Sequence, residues 1–302
     1  MLSSIGSRAA ADPEELHFRR EARSRFVRTF LRYPAALPAL ILFVIVVLCA
    51  LGAPLLTQYT PFEGNAAERL QGIGTAGHLL GTDEQGRDIL TRCLYGGRLS
   101  LLMGFLPVAL ATIVGSILGI ISGYFGKAYA QIIMRTLDIF YAFPSILLAI
   151  ALSSVLGSGL SSIIIPIAVI LVPPIARVAE STVQDIMPED FIEAAQTSGA
   201  VARAHALAGE LQAVEAELDK TGQLMGAVVD YAKTILSASG LSFLGLGISP
   251  PTPEWGSMLN ALRQQIYINP LITIIPGLFI FVTALSVNII SDGLKEAMEA
   301  NS

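Results

Sequence analysis

Four stretches of this chain carry no charged residue at all: Tyr33–Phe62, Leu99–Gly126, Ile139–Ala176 and Gln264–Ser291. About 20 consecutive apolar residues cross the hydrocarbon of a bilayer as a helix, and unpaired backbone is too costly in lipid for any open structure. Each stretch is long enough for one crossing, and Ile139–Ala176 for two nearly abutting ones. Only 14% of the 302 residues are charged and 53% are hydrophobic, where a soluble domain carries about 25% charged residues. The chain reads as an all-α integral membrane protein.

Arg19, Arg20, Arg23, Arg25, Arg28 and Arg32 cluster before the first apolar stretch, and basic residues beside a first span stay in the cytoplasm. This predicts a cytoplasmic arm over residues 1–33, a first span over 34–58 and an external loop over 59–98. A transmembrane domain then fills 99–292, with a cytoplasmic loop at about 182–221, and 293–302 is a cytoplasmic tail. Inside that domain the expected spans are Leu99–Tyr124, Met134–Leu156, Ile163–Ser181, Leu224–Leu246 and Pro270–Ile290, which with the first makes about six. The span from Leu224 is the poorest in apolar residues. Pro173–Pro174 should kink the one before it, because proline removes backbone donors. The segment Arg177–Lys220 holds more acids than bases, but acids weigh little in orientation. The first apolar run is also too long for the core of a cleaved signal, so it is expected to stay as a span.

Between the spans, several residue groups invite a chemical reading. In "GTDEQGRD", Gly81 and Gly86 turn the chain, Thr82 or Asp83 is the expected helix cap, and Asp83, Arg87 and Asp88 either form a local ion cluster, the plainer reading, or touch substrate. As exposed pairs these would contribute only about 0–1 kcal/mol each. "SPPTPEWG" is a stiff Pro-rich turn in a loop over Pro250, Pro251 and Trp255, with Trp255 an anchor at the membrane–water interface. Arg135 and Asp138, three apart, are positioned to pair at the inner end of one span. Asp230 and Lys233 repeat that spacing inside another, where charge marks function by default; a self-neutralising pair is the plainer reading. Cys49 and Cys93 are expected as free thiols, and the three histidines lack metal-ligand spacing. Glu193-Ala194-Ala195 followed by Gly199 has the form of an ordinary helix end, since alanine favours helix and glycine terminates it. That explains its shape and not its place between two spans.

The placement and the flanking motifs resemble ABC importer permeases of the dipeptide, oligopeptide and nickel family. Glu193, Ala194, Ala195 and Gly199 resemble the loop that, in that family, docks as a short coupling helix into a cytoplasmic ATP-hydrolysing subunit. "HLLGTDEQGRDILTRCLYGGRLSL" at 78–101, "LSFLGLGISPPTPEWGSML" at 241–259 and "NIISDGLKEAM" at 288–298 are similar to other signatures of the family. The longer N-terminal arm resembles that of the second of the two permease partners. The resemblance implies a type I ABC permease fold in the bacterial inner membrane with both termini cytoplasmic. It implies a second homologous permease subunit, two ATP-binding subunits, a periplasmic or lipid-anchored substrate-binding protein, and membrane lipid as partners. Peptides are the implied cargo, with nickel, glutathione or an opine as alternatives. Docking of the binding protein would fall on the external loops, with Asp83, Arg87, Asp88, Pro250, Pro251 and Trp255 as the residues concerned.

No catalytic or metal-binding residue is expected. The chain has no phosphate-cradling GxxxxGK[ST] loop, so ATP and Mg would be used by the partner subunits, and nothing points to nucleic acid. After Gly199 the sequence departs from the family: 200–233 lacks the usual Leu-Pro step and crowds Glu210, Glu215, Glu217 and Asp219, with Leu207, Leu211, Val214 and Leu218 at helical spacing. Local variation, a stretch read in a shifted frame, and a longer cytoplasmic helix all fit that pattern. Outside the resemblance, an ion-coupled secondary transporter would need inverted repeats and functional charges near the midplane. No repeat is visible, and only Asp230 and Lys233 offer such charges.

Overall fold

The computed structural model describes residues 25–125, 127–186 and 223–300. Helix α1 (Arg25–Arg32) meets α2 (Ala36–Leu51) at a bend of 90°. The break falls at Tyr33-Pro34, where proline disfavours helical backbone in the residue before it. Gly52 ends α2, and a single turn, α3 (Ala53–Leu56), follows with proline in its first turn. A loop containing a short 3₁₀ turn at Ala66–Glu68 leads to α4 (Ile89–Tyr124). The chain continues through α5 (Lys127–Tyr141), α6 (Ser145–Leu156) and α7 (Ser161–Ile186). After the undescribed segment come α8 (Gln223–Phe243), α9 (Trp255–Leu262), a 3₁₀ turn at Arg263–Tyr267 and α10 (Pro270–Glu299).

Among the described residues, α4, α7 and α10 are long and apolar enough to cross a membrane, and the bent pairs α1–α2 and α5–α6 raise the number to five if each is one span. The remaining expected span, α8, carries Asp230 and Lys233 and packs between α4 and α10. Two expected boundaries move. The loop expected over 59–98 stops at Asp88 rather than at 98, because α4 begins ten residues early as a 36-residue helix. At 1.5 Å per residue such a helix is about 54 Å long, well beyond the hydrocarbon. The span expected over Met134–Leu156 is instead two helices bent by 91°. Pro144 N-caps the second and excludes helix at Phe143.

The loops 57–88 and 244–269 gather at one end of the bundle, with the starts of α4, α7 and α10. Where it crosses α7, α4 presents glycine. A β-carbon on Gly115 would lie 2.9 Å from Ile175 Cβ of α7, one on Gly119 would lie 2.6 Å from Ala179 Cβ, and one on Gly123 would lie 2.7 Å from Val183 Cβ. This four-residue repeat of glycines lets two backbones approach within a membrane, where packing rather than hydrophobicity drives association. Ser122 adds a hydrogen bond of 2.8 Å to Glu180 along the same seam. Gly104 does for α8 what the others do for α7, receiving Tyr231 and Ile235.

Helix α7 continues through Pro166, Pro173 and Pro174. Pro166 cannot donate to the Ser162 carbonyl, and the Ser153 hydroxyl of α6 donates to that oxygen at 2.5 Å instead. A neighbouring helix thereby supplies the lost donor.

Candidate functional site

At the loop-rich end, Asp83 and Arg87 of the expected ion cluster do pair and are buried, while Asp88 takes other partners. Asp83 Oδ1 accepts from the amides of Gln85 and Arg87 at 2.8 and 3.0 Å, and Oδ2 takes Arg87 Nε at 2.6 Å. Arg92 Nε lies 3.3 Å from the same oxygen, while its Nη1 donates to the carbonyls of Pro61 at 2.7 Å and Pro251 at 3.1 Å. One guanidinium therefore ties both loops to α4. Positive φ angles at Gly81 and Gly86, +81° and +74°, let the turn close around Asp83. Asp83, Arg87, Asp88 and Arg92 are all at most 5% exposed. Surface-pair energetics do not apply to such a cluster, because removing one partner strands a buried charge at about 3–5 kcal/mol.

Asp88, not Thr82 or Asp83, caps α4: its Oδ2 accepts from the Thr91 amide and hydroxyl, both at 2.7 Å. Thr82 and Asp83 are already committed, Thr82 accepting from Gln71 N at 2.9 Å and donating to the Glu68 carbonyl. The other Asp88 oxygen meets His78 Nδ1 at 3.0 Å, with Glu68 3.7 Å from His78 Nε2 and the Tyr59 ring stacked on the imidazole.

The second loop is locked by Glu254, which is fully buried. Its carboxylate accepts from Gly256 N at 2.7 Å, Ser257 N at 2.8 Å and Ser100 Oγ at 3.2 Å. These bonds cap α9 and join it to α4. Burial pushes the Glu254 carboxyl above its ordinary range, and the two amide donors pull it part of the way back. Trp255 is 1% exposed, so it is a core residue and not an interface anchor. Its indole Nε1 donates to the Cys93 carbonyl at 2.8 Å.

Of the residues expected to meet a binding protein, Asp83, Arg87, Asp88 and Trp255 are thus inside the cap that the 57–88 and 244–269 segments form and shape it, whereas Pro250 and Pro251 are exposed on its surface. Sequence reasoning passed over Arg92, Arg98 and Glu254. Arg98 caps the end of α2, donating to the Ala50 and Leu51 carbonyls at 2.8 and 2.7 Å, the favoured place for a cation. The available signal was three arginine and glutamate side chains in segments otherwise rich in glycine and apolar residues.

Glu193, Ala194, Ala195 and Gly199 lie outside the described residues, as do 200–222 of the divergent segment. Asp138 pairs with Arg177 of α7 and not with Arg135 on its own helix; the guanidinium also sits 5.2 Å from the centre of the Tyr141 ring. Across-helix pairing wins because the α5–α7 contact brings Arg177 against the end of α5. Asp230 and Lys233 do pair along α8, at 3.7 Å. They border a cleft of about 400 Å³. A second, apolar groove of about 800 Å³ lies between α2, α4, α8 and α10. Cys49 and Cys93 are free. Among the described residues, no three histidine, cysteine or carboxylate side chains are grouped to hold a metal ion.

Two family profiles match the chain. One, described as "Binding-protein-dependent transport system inner membrane component", matches residues 115–204. The other, "N-terminal TM domain of oligopeptide transport permease C", matches residues 23–72. Among similar proteins, a dipeptide transport system permease protein of Alkalihalophilus pseudofirmus is 41% identical over 268 residues, covering 87% of this chain and 85% of that protein. A di/tripeptide transport system permease protein of Pseudomonas aeruginosa is 34% identical over 304 residues, covering 99% and 98%. A glutathione transport system permease protein of Pectobacterium atrosepticum is 34% identical over 278 residues, covering 91% and 89%.

Proposed function

Because the chain belongs to the family of binding-protein-dependent ABC importer permeases that includes the dipeptide permeases, we propose that it forms one half of the membrane path of an ATP-driven importer of short peptides. The observation that carries this reading is the match to a di/tripeptide permease over 99% of the chain, which spans the cap, the bundle and the undescribed segment alike. Glutathione, named for another relative, is itself a short peptide and falls within the same cargo class.

A second homologous permease completes the path. Two ATP-binding subunits, using ATP and Mg, sit on the cytoplasmic side against Glu193–Gly199, with both termini of this chain on that side. A periplasmic or lipid-anchored binding protein delivers cargo to the cap, meeting exposed residues such as Pro250 and Pro251. The buried charges beneath hold that surface in register with α4, so force on the cap reaches the helix that crosses α7, α8 and α2. Closure of the ATP-binding subunits moves the coupling segment and reorients the bundle. Cargo drives this cycle only to the extent that it binds the outward and inward states unequally.

The test is to replace Glu193 with Ala and Gly199 with Val in the assembled complex and to measure ATP hydrolysis stimulated by loaded binding protein. Loss of stimulation, with assembly intact, is the expected outcome. Undiminished stimulation with normal uptake would remove the coupling role.

A further inference from the structure

A charged pair inside a membrane-crossing bundle has to be explained by what it faces. Asp230 and Lys233 lie in the interior of α8 (Gln223–Phe243), with the Lys233 side chain 68% exposed and that of Asp230 20%. Lipid contact at such a place is expensive, so charges there face a water-filled cavity or other protein. The pair opens onto a cleft of about 400 Å³ whose other walls are Tyr141, Phe143 and Ser145 at the α5–α6 break and Pro173–Pro174 of α7.

Both of those walls are places where helical hydrogen bonding fails. Pro173 and Pro174 cannot donate to the carbonyls of Val169 and Ile170, and α6 starts at Ser145 behind Pro144, without a side-chain cap. Backbone of this kind is tolerated at membrane depth where it lines a cavity. The cleft therefore combines one cation, one anion and an aromatic rim, in walls whose helices are broken or lack donors at Pro144, Pro173 and Pro174.

We propose that the Asp230–Lys233 pair and the α5–α6 break form a station on the translocation path that holds the zwitterionic ends of a short peptide. This rests on the peptide-importer reading above. The peptide ammonium replaces Lys233 at Asp230, and its carboxylate replaces Asp230 at Lys233. The exchange leaves the net charge of the cleft at zero in both the empty and the loaded state, so no unbalanced charge enters the membrane. The rings of Tyr141 and Phe143, which line the cleft, cover the peptide chain.

The experiment uses the complete complex, with partner permease, ATP-binding subunits and binding protein, reconstituted in vesicles and supplied with radiolabelled dialanine. The variants are Asp230→Asn, Lys233→Met and both together. A pair that only neutralises itself is dispensable once both charges are gone, whereas a cargo station is not. The expected result is at least a tenfold fall in uptake in all three variants, with ATP hydrolysis stimulated by loaded binding protein kept within about twofold. Undiminished uptake in the double variant would overturn the inference alone. Loss of uptake together with loss of stimulated hydrolysis would assign the pair to assembly and overturn it too. No dialanine uptake by the unaltered complex would overturn the peptide reading, and the inference with it.

Discussion

The indole nitrogen of Trp255 donates to the carbonyl of Cys93 at 2.8 Å, across 162 residues of sequence. The same ring lies over Gly97, where an added β-carbon would stand 3.0 Å from Trp255 Cζ2. Trp255→Phe removes the hydrogen bond and should cost about 1 kcal/mol, while Trp255→Ala, which empties the site, should cost about 3–5 kcal/mol. Gly97→Ala should be less damaging in the Trp255→Phe background than alone, since residues in contact are non-additive. Thermal unfolding of the wild type and these four variants in one detergent checks all of this. Additive losses would mean that the two positions do not share the contact.

Glu254 gives the cap a pH dependence. Its carboxyl is raised in the folded protein, chiefly by burial. A raised acid binds more protons folded than unfolded, so its contribution to stability is fully present below the ordinary glutamate value of about 4.3 and is lost as pH rises through the raised value. Glu254→Gln lacks this dependence. The stability of wild type relative to that variant should therefore fall as pH rises from 4 towards and past the raised value, read from unfolding midpoints of both proteins across that window. A constant difference would mean that the carboxyl titrates alike in both states.

The glycine seam between α4 and α7 predicts steric intolerance. At Gly119 the wall includes Ala179 Cβ, 2.6 Å from an added β-carbon, and α7 backbone. Gly119→Val forces the helices apart, and overpacking of this kind costs about 1–3 kcal/mol. Gly226, with open space around it, is the control: Gly226→Ala should leave the unfolding midpoint unchanged or raise it slightly, since alanine favours helix over glycine by about 1 kcal/mol. Equal behaviour of the two variants would remove the seam as the organising contact of the bundle.

Much of the bundle was legible in the sequence. The charge-free runs locate α2, α4, α7 and α10, because charge and lipid exclude each other whatever the neighbours are. The break before Pro144 was equally visible in Phe143-Pro144 and went unread, as did the repeat of Gly115, Gly119 and Gly123. The burial of the cap was not legible. Arg92 finds one of its acceptors at Pro251, 159 residues away, and no local spacing reveals such a partner. Asp138 likewise has an adequate partner three residues back and takes a different one, Arg177, on another helix. Charged residues are placed by tertiary contacts, so their types and spacing identify candidates and leave the pairing open.

What drives uptake separates an ATP-driven importer from an ion-coupled transporter. In vesicles holding this chain with its partner permease, its ATP-binding subunits and the binding protein, labelled dialanine should accumulate only when ATP reaches the ATP-binding subunits. Accumulation driven by a proton or sodium gradient, with those subunits removed, would contradict it.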